Sequence, residues 1–198
     1  MGIAKVSAGQ SAGSDLVKTF GIDGRIGEGG ERYFDDMLRR RGFANRFEVF
    51  HALQMPTTAR GQKQLDTDID FAIASGNNIV LIDVKRWAAD YVYWSLWGRP
   101  VKGMNPMHKD GEWGLSQNMA IARARFRSLF PGVNVYALVI FVPTSQRALP
   151  RSVSFFRWPG GIRSYLLDDG LNRVTELLGA PRPALPVIVS TLSQLKKH

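Results

Sequence analysis

Asp68-Ile69-Asp70-Phe71-Ala72-Ile73-Ala74-Ser75-Gly76-Asn77-Asn78-Ile79-Val80-Leu81-Ile82-Asp83-Val84-Lys85 reads as two β-strands joined by a tight turn. Ser75-Gly76-Asn77-Asn78 is turn chemistry between two runs rich in Ile and Val. The runs are short, so strands fit them better than a helix. A two-residue turn at Gly76-Asn77 pairs Ser75 with Asn78, and a loop from Ser75 to Asn78 gives the same register. Asp70 then lies opposite Asp83, and Asp68 opposite Lys85. Side chains alternate between the faces of a strand. Ile69, Phe71, Ile73, Val80, Ile82 and Val84 therefore make one apolar face. Asp68, Asp70, Asp83 and Lys85 share the other, which turns apolar at Ala72, Ala74, Ile79 and Leu81.

Directly opposed side chains have Cβ atoms about 5 Å apart, and like charges there repel. Two carboxylates that close require a shared proton or a cation. A hard divalent metal bound through oxygen is the economical solution. Lys85 stands beside that site on the same face. There it would orient a water, help to deprotonate it, or stabilise charge on a phosphate. An ion pair with Asp68 is the competing use of the same lysine.

Composition sets the wider frame. A chain of 198 residues, 44% hydrophobic and 22% charged, fills one core and leaves little for a second. Lys plus Arg number 26 against 17 Asp plus Glu, giving +9 and a pI near 10.2. That balance suits an anionic partner, nucleic acid first among them. Cysteine is absent, which excludes disulfides, Cys-ligated zinc and thiol nucleophiles. The first residues lack a secretion signal and no apolar run approaches a membrane span. A cytoplasmic protein with no membrane contact is the expectation.

Asp70, twelve intervening residues and then Asp83-Val84-Lys85 match the D…(D/E)-x-K signature of PD-(D/E)xK nucleases. Around it, Gly27-Glu28-Gly29-Gly30-Glu31 opens a helix. Ile69-Asp70-Phe71 and Leu81-Ile82-Asp83-Val84-Lys85 follow as strands, then Trp87, Asn105-Pro106, and Gln117 on a later helix. In this order the chain resembles the nuclease-related domain, NERD, from about Gly27 to Val142. Asp83 stands where that family more often carries Glu, and Phe71 where it usually carries His. The resemblance implies a restriction-endonuclease-like core and metal-dependent hydrolysis of DNA phosphodiester bonds by an endonuclease, leaving 5′-phosphates. Asp70 and Asp83 would bind Mg²⁺ or Mn²⁺, with the Val84 carbonyl as a further ligand. Lys85 would activate or position the attacking water, with Glu31 and Gln117 accessory.

The remaining chain is read outward from there. Residues 1–24, rich in Gly, Ser and Ala, are expected to be a flexible arm, and 25–198 a single domain. A helix is predicted over 27–41, with Phe34, Met37, Leu38 and Arg41 on one stripe. Glu31 falls on that stripe, facing inward. It serves either the metal site or simple first-turn stabilisation by the helix dipole. Gly27 to Gly30 lacks the Gly-Lys-Ser/Thr ending of a phosphate loop. A strand is expected over 46–53, where His51 reads as structural, and a polar connector over 55–64.

After Lys85 come Trp87, Tyr91, Tyr93, Trp94 and Trp97. They pad a small sheet, or stack on bases as the alternative. Tyr91–Leu96 and Val101–Met104 are predicted strands, and 105–114 a loop holding His108. A helix over 115–130 carries two apolar stripes and should be sandwiched, with Gln117 at its start as an orienting residue or an ordinary exposed Gln. Arg123, Arg125 and Arg127 read as a solvated face. Asn134–Val142 is a central strand buried on both sides. A strand over 153–158 and helices over 171–178 and 187–197 complete the chain.

The fold expected is α/β: a mixed central β-sheet flanked by helices, with the hairpin at its active edge. The partner is DNA, and a homodimer is left open. A nucleic-acid-binding module that keeps the fold without cleaving is the rival reading.

Overall fold

The computed structural model describes residues 22–57, 68–87, 89, 91–96, 99–107, 115–144 and 148–196. Most of the expected N-terminal arm, the connector beyond Thr57, Trp97 and His108 lie outside the described residues. In chain order the structure has helix α1 (Ile22–Arg40) and strands β1 (Glu48–Gln54), β2 (Asp68–Ser75) and β3 (Asn78–Lys85). Three short strands follow, β4 (Tyr93–Leu96), β5 (Arg99–Lys102) and β6 (Asn105–Pro106), which form a small sheet of their own. Then come helix α2 (Asn118–Leu129) and strands β7 (Asn134–Phe141), β8 (Arg157–Trp158) and β9 (Ile162–Leu166). Helices α3 (Leu167–Leu178) and α4 (Pro186–Gln194) close the chain.

The main sheet runs β1-β2-β3-β7-β9-β8. The pairs among β1, β2 and β3 are antiparallel, β3–β7 and β7–β9 are parallel, and β8 returns antiparallel to β9. The sheet is mixed, as the sequence predicts. Phe34 and Leu38 of α1 and Leu171 and Val174 of α3 pack on one face, over Phe71, Ile73, Val80 and Ile82. Met119 and Phe126 of α2 and Ile188 and Leu192 of α4 pack on the other, over Ala72, Ala74, Ile79 and Leu81.

The hairpin follows its local chemistry. Ser75 pairs with Asn78, and the ladder continues to Phe71–Ile82 in the predicted register. Gly76 takes φ 55° at the first central position of the turn, which glycine accepts without strain. The hairpin is not an edge, however. β1 flanks β2, and the nearly continuous apolar run of β7 flanks β3, so both strands of the hairpin are internal.

Ile69 also departs from expectation. It packs with Ala72 and Leu81 rather than with Phe71 and Ile73. The cause lies opposite Asp70. Ala52 has φ 48°, the one positive φ at a non-glycine among the described residues, and the β1–β2 ladder skips that position. A left-handed residue exchanges the two faces of a strand. Leu53, and Ile69 paired with it, therefore turn to the α2 side.

Other differences have similarly local reasons. Helix α1 starts earlier, at Ile22. The strand expected over 153–158 is reduced to Arg157–Trp158, because the Phe156 amide turns back to the Val153 carbonyl at 2.9 Å. Helix α2 is buried on one side only, with Ala124 and Ser128 exposed. Arg125 is buried instead of solvated, and donates to the Pro56 carbonyl at 3.2 Å. Two of the aromatics pad the core: the Trp87 ring lies 5.1 Å from Tyr93 and 5.0 Å from Phe141, whereas Tyr91 is exposed.

Close approach is needed where α3 crosses the sheet. A Cβ on Gly170 would meet Ile140 Cδ1 and Cγ1 at 2.9 Å. Gly170→Ala should therefore destabilise the protein by about 1 kcal/mol. Over-packing costs about 1–3 kcal/mol, and the better helix propensity of Ala returns about 1. Denaturant unfolding reads the result, and a stabilised variant would show that α3 does not sit this close.

Candidate active site

The site forms where β2 and β3 pass the end of their ladder. The Val84 amide donates to Asp70 Oδ2 at 2.6 Å, so a carboxylate takes up an amide just beyond the last cross-strand pair. Lys85 Nζ lies 2.9 Å from Asp83 Oδ1. Both are largely sheltered, their side chains 32% and 18% exposed. Asp68 borders the same cleft. The ion pair the structure gives Lys85 is thus with Asp83, the signature's own acid.

Glu31 arrives from α1, on the opposite face of the sheet, and is buried. The run Gly27-Glu28-Gly29-Gly30 explains how. A Cβ on Gly30 would stand 3.4 Å from Arg86 Cβ and from Val142 Cγ2, and one on Gly29 2.5 Å from Arg86 Nη1. Gly30 lets α1 lie close to Val84 and Val142, while at Gly29 the neighbour is the movable end of Arg86. Arg86 itself is anchored, its Nε donating to the Pro143 carbonyl at 3.1 Å.

The acids act on one another. Burial first, then the charge of Asp83, pushes Glu31 from 4.5 up to about 7, with Lys85 pulling the other way. Burial, then Asp83 and Glu31, lifts Asp70 well above the usual carboxylate range, against the pull of Lys85 and the Val84 amide. Burial alone would lower Lys85. Asp83, Asp70 and Glu31 outweigh it and hold the amine as a cation. The site is a pocket of concentrated negative charge around one lysine.

That charge meets the chemistry of a hard divalent cation, since every donor at hand is oxygen. Among the described residues no three His, Cys, Asp or Glu side chains gather closely enough to hold a metal by themselves. Two carboxylates therefore need further oxygens from backbone, water or substrate. The donor set fits Mg²⁺ or Mn²⁺, which commonly use one or two carboxylates in this way.

The cleft over the site measures about 60 Å³. That holds a few waters or a hydrated ion, so anything larger has to lie across its mouth. Asp68, Asp83 and Lys85 form its polar side, and Met55, Ile69, Met119 and Trp158 its apolar walls. Ser116 and Asn118 complete it from the start of α2. Gln117, between them, is exposed. The sequence singled out Gln117 and missed its neighbours. The signal was there in the helix-start chemistry of Ser116-Gln117-Asn118, in which Ser116 Oγ accepts the Asn118 amide at 3.2 Å. Nothing local marks Trp158 or Met55, which come from distant segments.

His51 is half-buried, 3.6 Å from Asp35, with its ring edge-on to Phe71 at 4.9 Å. Burial keeps its pKa below the usual value against the pull of Asp35. It packs on the α1 side and reads as structural.

The family model of the nuclease-related domain, NERD, matches residues 26–142. The chain belongs to the NERD family. The match runs from α1 through β7 and so takes in Glu31, Asp70, Asp83, Lys85 and Gln117. It leaves β8, β9, α3 and α4 outside, although Trp158 from that segment walls the cleft. No curated protein matches the chain. NERD membership gives a nuclease-related function and an interaction with nucleic acid. No described helix is long and apolar enough to cross a membrane.

Proposed function

We propose that this NERD chain is a metal-dependent endonuclease that hydrolyses DNA. The observation that carries the reading is the sheltered Asp83–Lys85 pair, which lines a cleft sized for water and an ion, with Asp70 beside it on the Val84 amide. Asp70 and Asp83 would hold Mg²⁺ or Mn²⁺, with the Val84 carbonyl as a further ligand. The metal, when bound, would supply Lewis-acid stabilisation of charge on the phosphate. Lys85 holds the attacking water from the side of Asp83 and faces the charge that builds on the phosphate. A cation on the two aspartates would offset part of the negative charge that holds Lys85 protonated. Glu31 is accessory, adding negative charge from α1. Gln117 orients groups at the mouth.

One contact favours the rival, a non-cleaving nucleic-acid module: Lys85 Nζ already occupies Asp83 Oδ1. The test incubates supercoiled, linear and single-stranded DNA with the protein in Mg²⁺, Mn²⁺ and EDTA. The nuclease reading expects metal-dependent cuts with 5′-phosphate ends. DNA binding without cutting in any metal hands the site to the rival.

Metal should also stabilise the fold by mass action. At a hundred times its Kd the gain is about 2.7 kcal/mol. In a domain of this size that raises the melting temperature by roughly 5–10 °C. Asp83→Ala should remove the rise. An equal rise in Asp83→Ala would mean that the ion binds elsewhere.

A further inference from the structure

On the far side of Trp158 from the cleft lies a larger groove of about 430 Å³. Arg151, Arg157 and Arg163 line it, with Ser152, Tyr165 and a single acid, Asp169. Arg157 and Arg163 are direct partners across the β8–β9 ladder. Like charges at such a position repel, and a third arginine adds to the repulsion. Three guanidiniums against one carboxylate leave a site short of negative charge. The walls do not collapse inward, because Arg157 Nη1 is held by the Ser154 carbonyl at 2.7 Å. Trp158 Nε1 donates to Ser164 Oγ at 2.9 Å, which ties the wall of the catalytic cleft to the floor of this groove.

Its position relates to the cut. Lys85 of β3 is level with Phe141 of β7, and Phe141 with Leu166 of β9, which lines the groove. Groove and cleft therefore open at the same end of the sheet, two strand spacings apart, or about 10 Å.

We propose that this groove is a second phosphate-binding site, which takes the backbone of the bound DNA beside the scissile bond. The inference rests on the nuclease reading for its choice of ligand. The guanidiniums recognise phosphate oxygens by paired, charge-assisted hydrogen bonds. They grip the backbone without reading bases. The residues lining the groove lie outside the span that the NERD model matches.

The test measures binding of a short duplex in EDTA across a range of salt, with cleavage in Mg²⁺ alongside. Arg151 and Arg163 are exposed, so Arg151→Gln/Arg163→Gln should fold normally. Each lost phosphate contact flattens the log–log salt slope by about 0.9. The double variant should lose about 1.8 from the slope and bind at least about tenfold more weakly at 0.15 M salt. Asp169→Asn should bind tighter. The control is Arg46→Gln/Arg182→Gln, which removes equal charge from a cleft at the Gly76 end of the sheet and should change little.

A groove variant that binds and cuts like wild type overturns the inference and leaves the nuclease reading intact. Equal weakening in the control overturns it as well, since net charge would then be enough. Weakened binding in the groove variant alone, with no cutting by any form, upholds the groove and sinks the nuclease reading. Wild type that binds no DNA removes both.

Discussion

Lys85→Ala is expected to cut metal-dependent cleavage of DNA by about a thousandfold, the range for a positioned proton-transfer or charge-stabilising group, while keeping the metal-induced rise in melting temperature. The two readouts separate because the lysine and the aspartates do different things. Lys85 is itself a cation beside Asp83 and competes with any ion for that carboxylate. Its removal frees an acceptor, so binding of metal should hold or tighten. Asp83→Ala removes the acceptor and should lose both cleavage and the thermal rise. Arginine at 85 keeps the charge, but as a planar fork in a cleft of about 60 Å³ it should not restore the rate. Full activity in Lys85→Ala would refute the assignment. Loss of cleavage together with loss of the thermal rise would make the lysine a structural partner of Asp83.

Glu31→Gln is the second large effect, and it appears without DNA. The folded pKa of Glu31, about 7, lies above its ordinary 4.5. Between those values the folded state holds a proton that the unfolded state has lost. Stability from this group is therefore full below about pH 4.5. It falls as pH rises to about 7, and is flat beyond. A shift of that size corresponds to about 3 kcal/mol at 1.36 per unit. Asp70, raised by the same causes, adds to the slope in the same direction. Metal-free wild type should thus lose stability from pH 5 to 8. Glu31→Gln should flatten much of that loss and be the more stable protein at pH 8. Denaturant unfolding in EDTA at several pH values measures it. Identical pH profiles for the two proteins would mean that Glu31 is not held among the other acids.

The parts of this site that the sequence made legible are those made by neighbours in the chain. Asp70 and Asp83 could be brought together on paper because one turn, Gly76-Asn77, sets the register between them. Glu31 was visible as an acid on the stripe of Phe34 and Leu38. The reach it needs, through Gly30, was not. β9 went unread because Ile162-Arg163-Ser164-Tyr165-Leu166 is half polar and gains its strand character only from pairing with β7. Strict alternation puts Ile69 on the wrong face, because no local motif announces the left-handed backbone of Ala52. Arg125 reads as a surface cation because its acceptor, the Pro56 carbonyl, is remote in sequence. Long-range partners decide such positions, and the chain states them nowhere in one place.

The ends of the main sheet bear on self-association. Open strand edges invite backbone pairing with another molecule. Here the last strand on one side, β8, is two residues long. On the other side, Leu53 of β1 bridges to Lys196, and the Gln54 amide donates to the Leu195 carbonyl at 2.8 Å. The chain's own C-terminal segment thus occupies the stretch of that edge nearest the active site. At that end the sheet offers a second copy little backbone to extend, so the mouth of the cleft is kept clear of strand pairing.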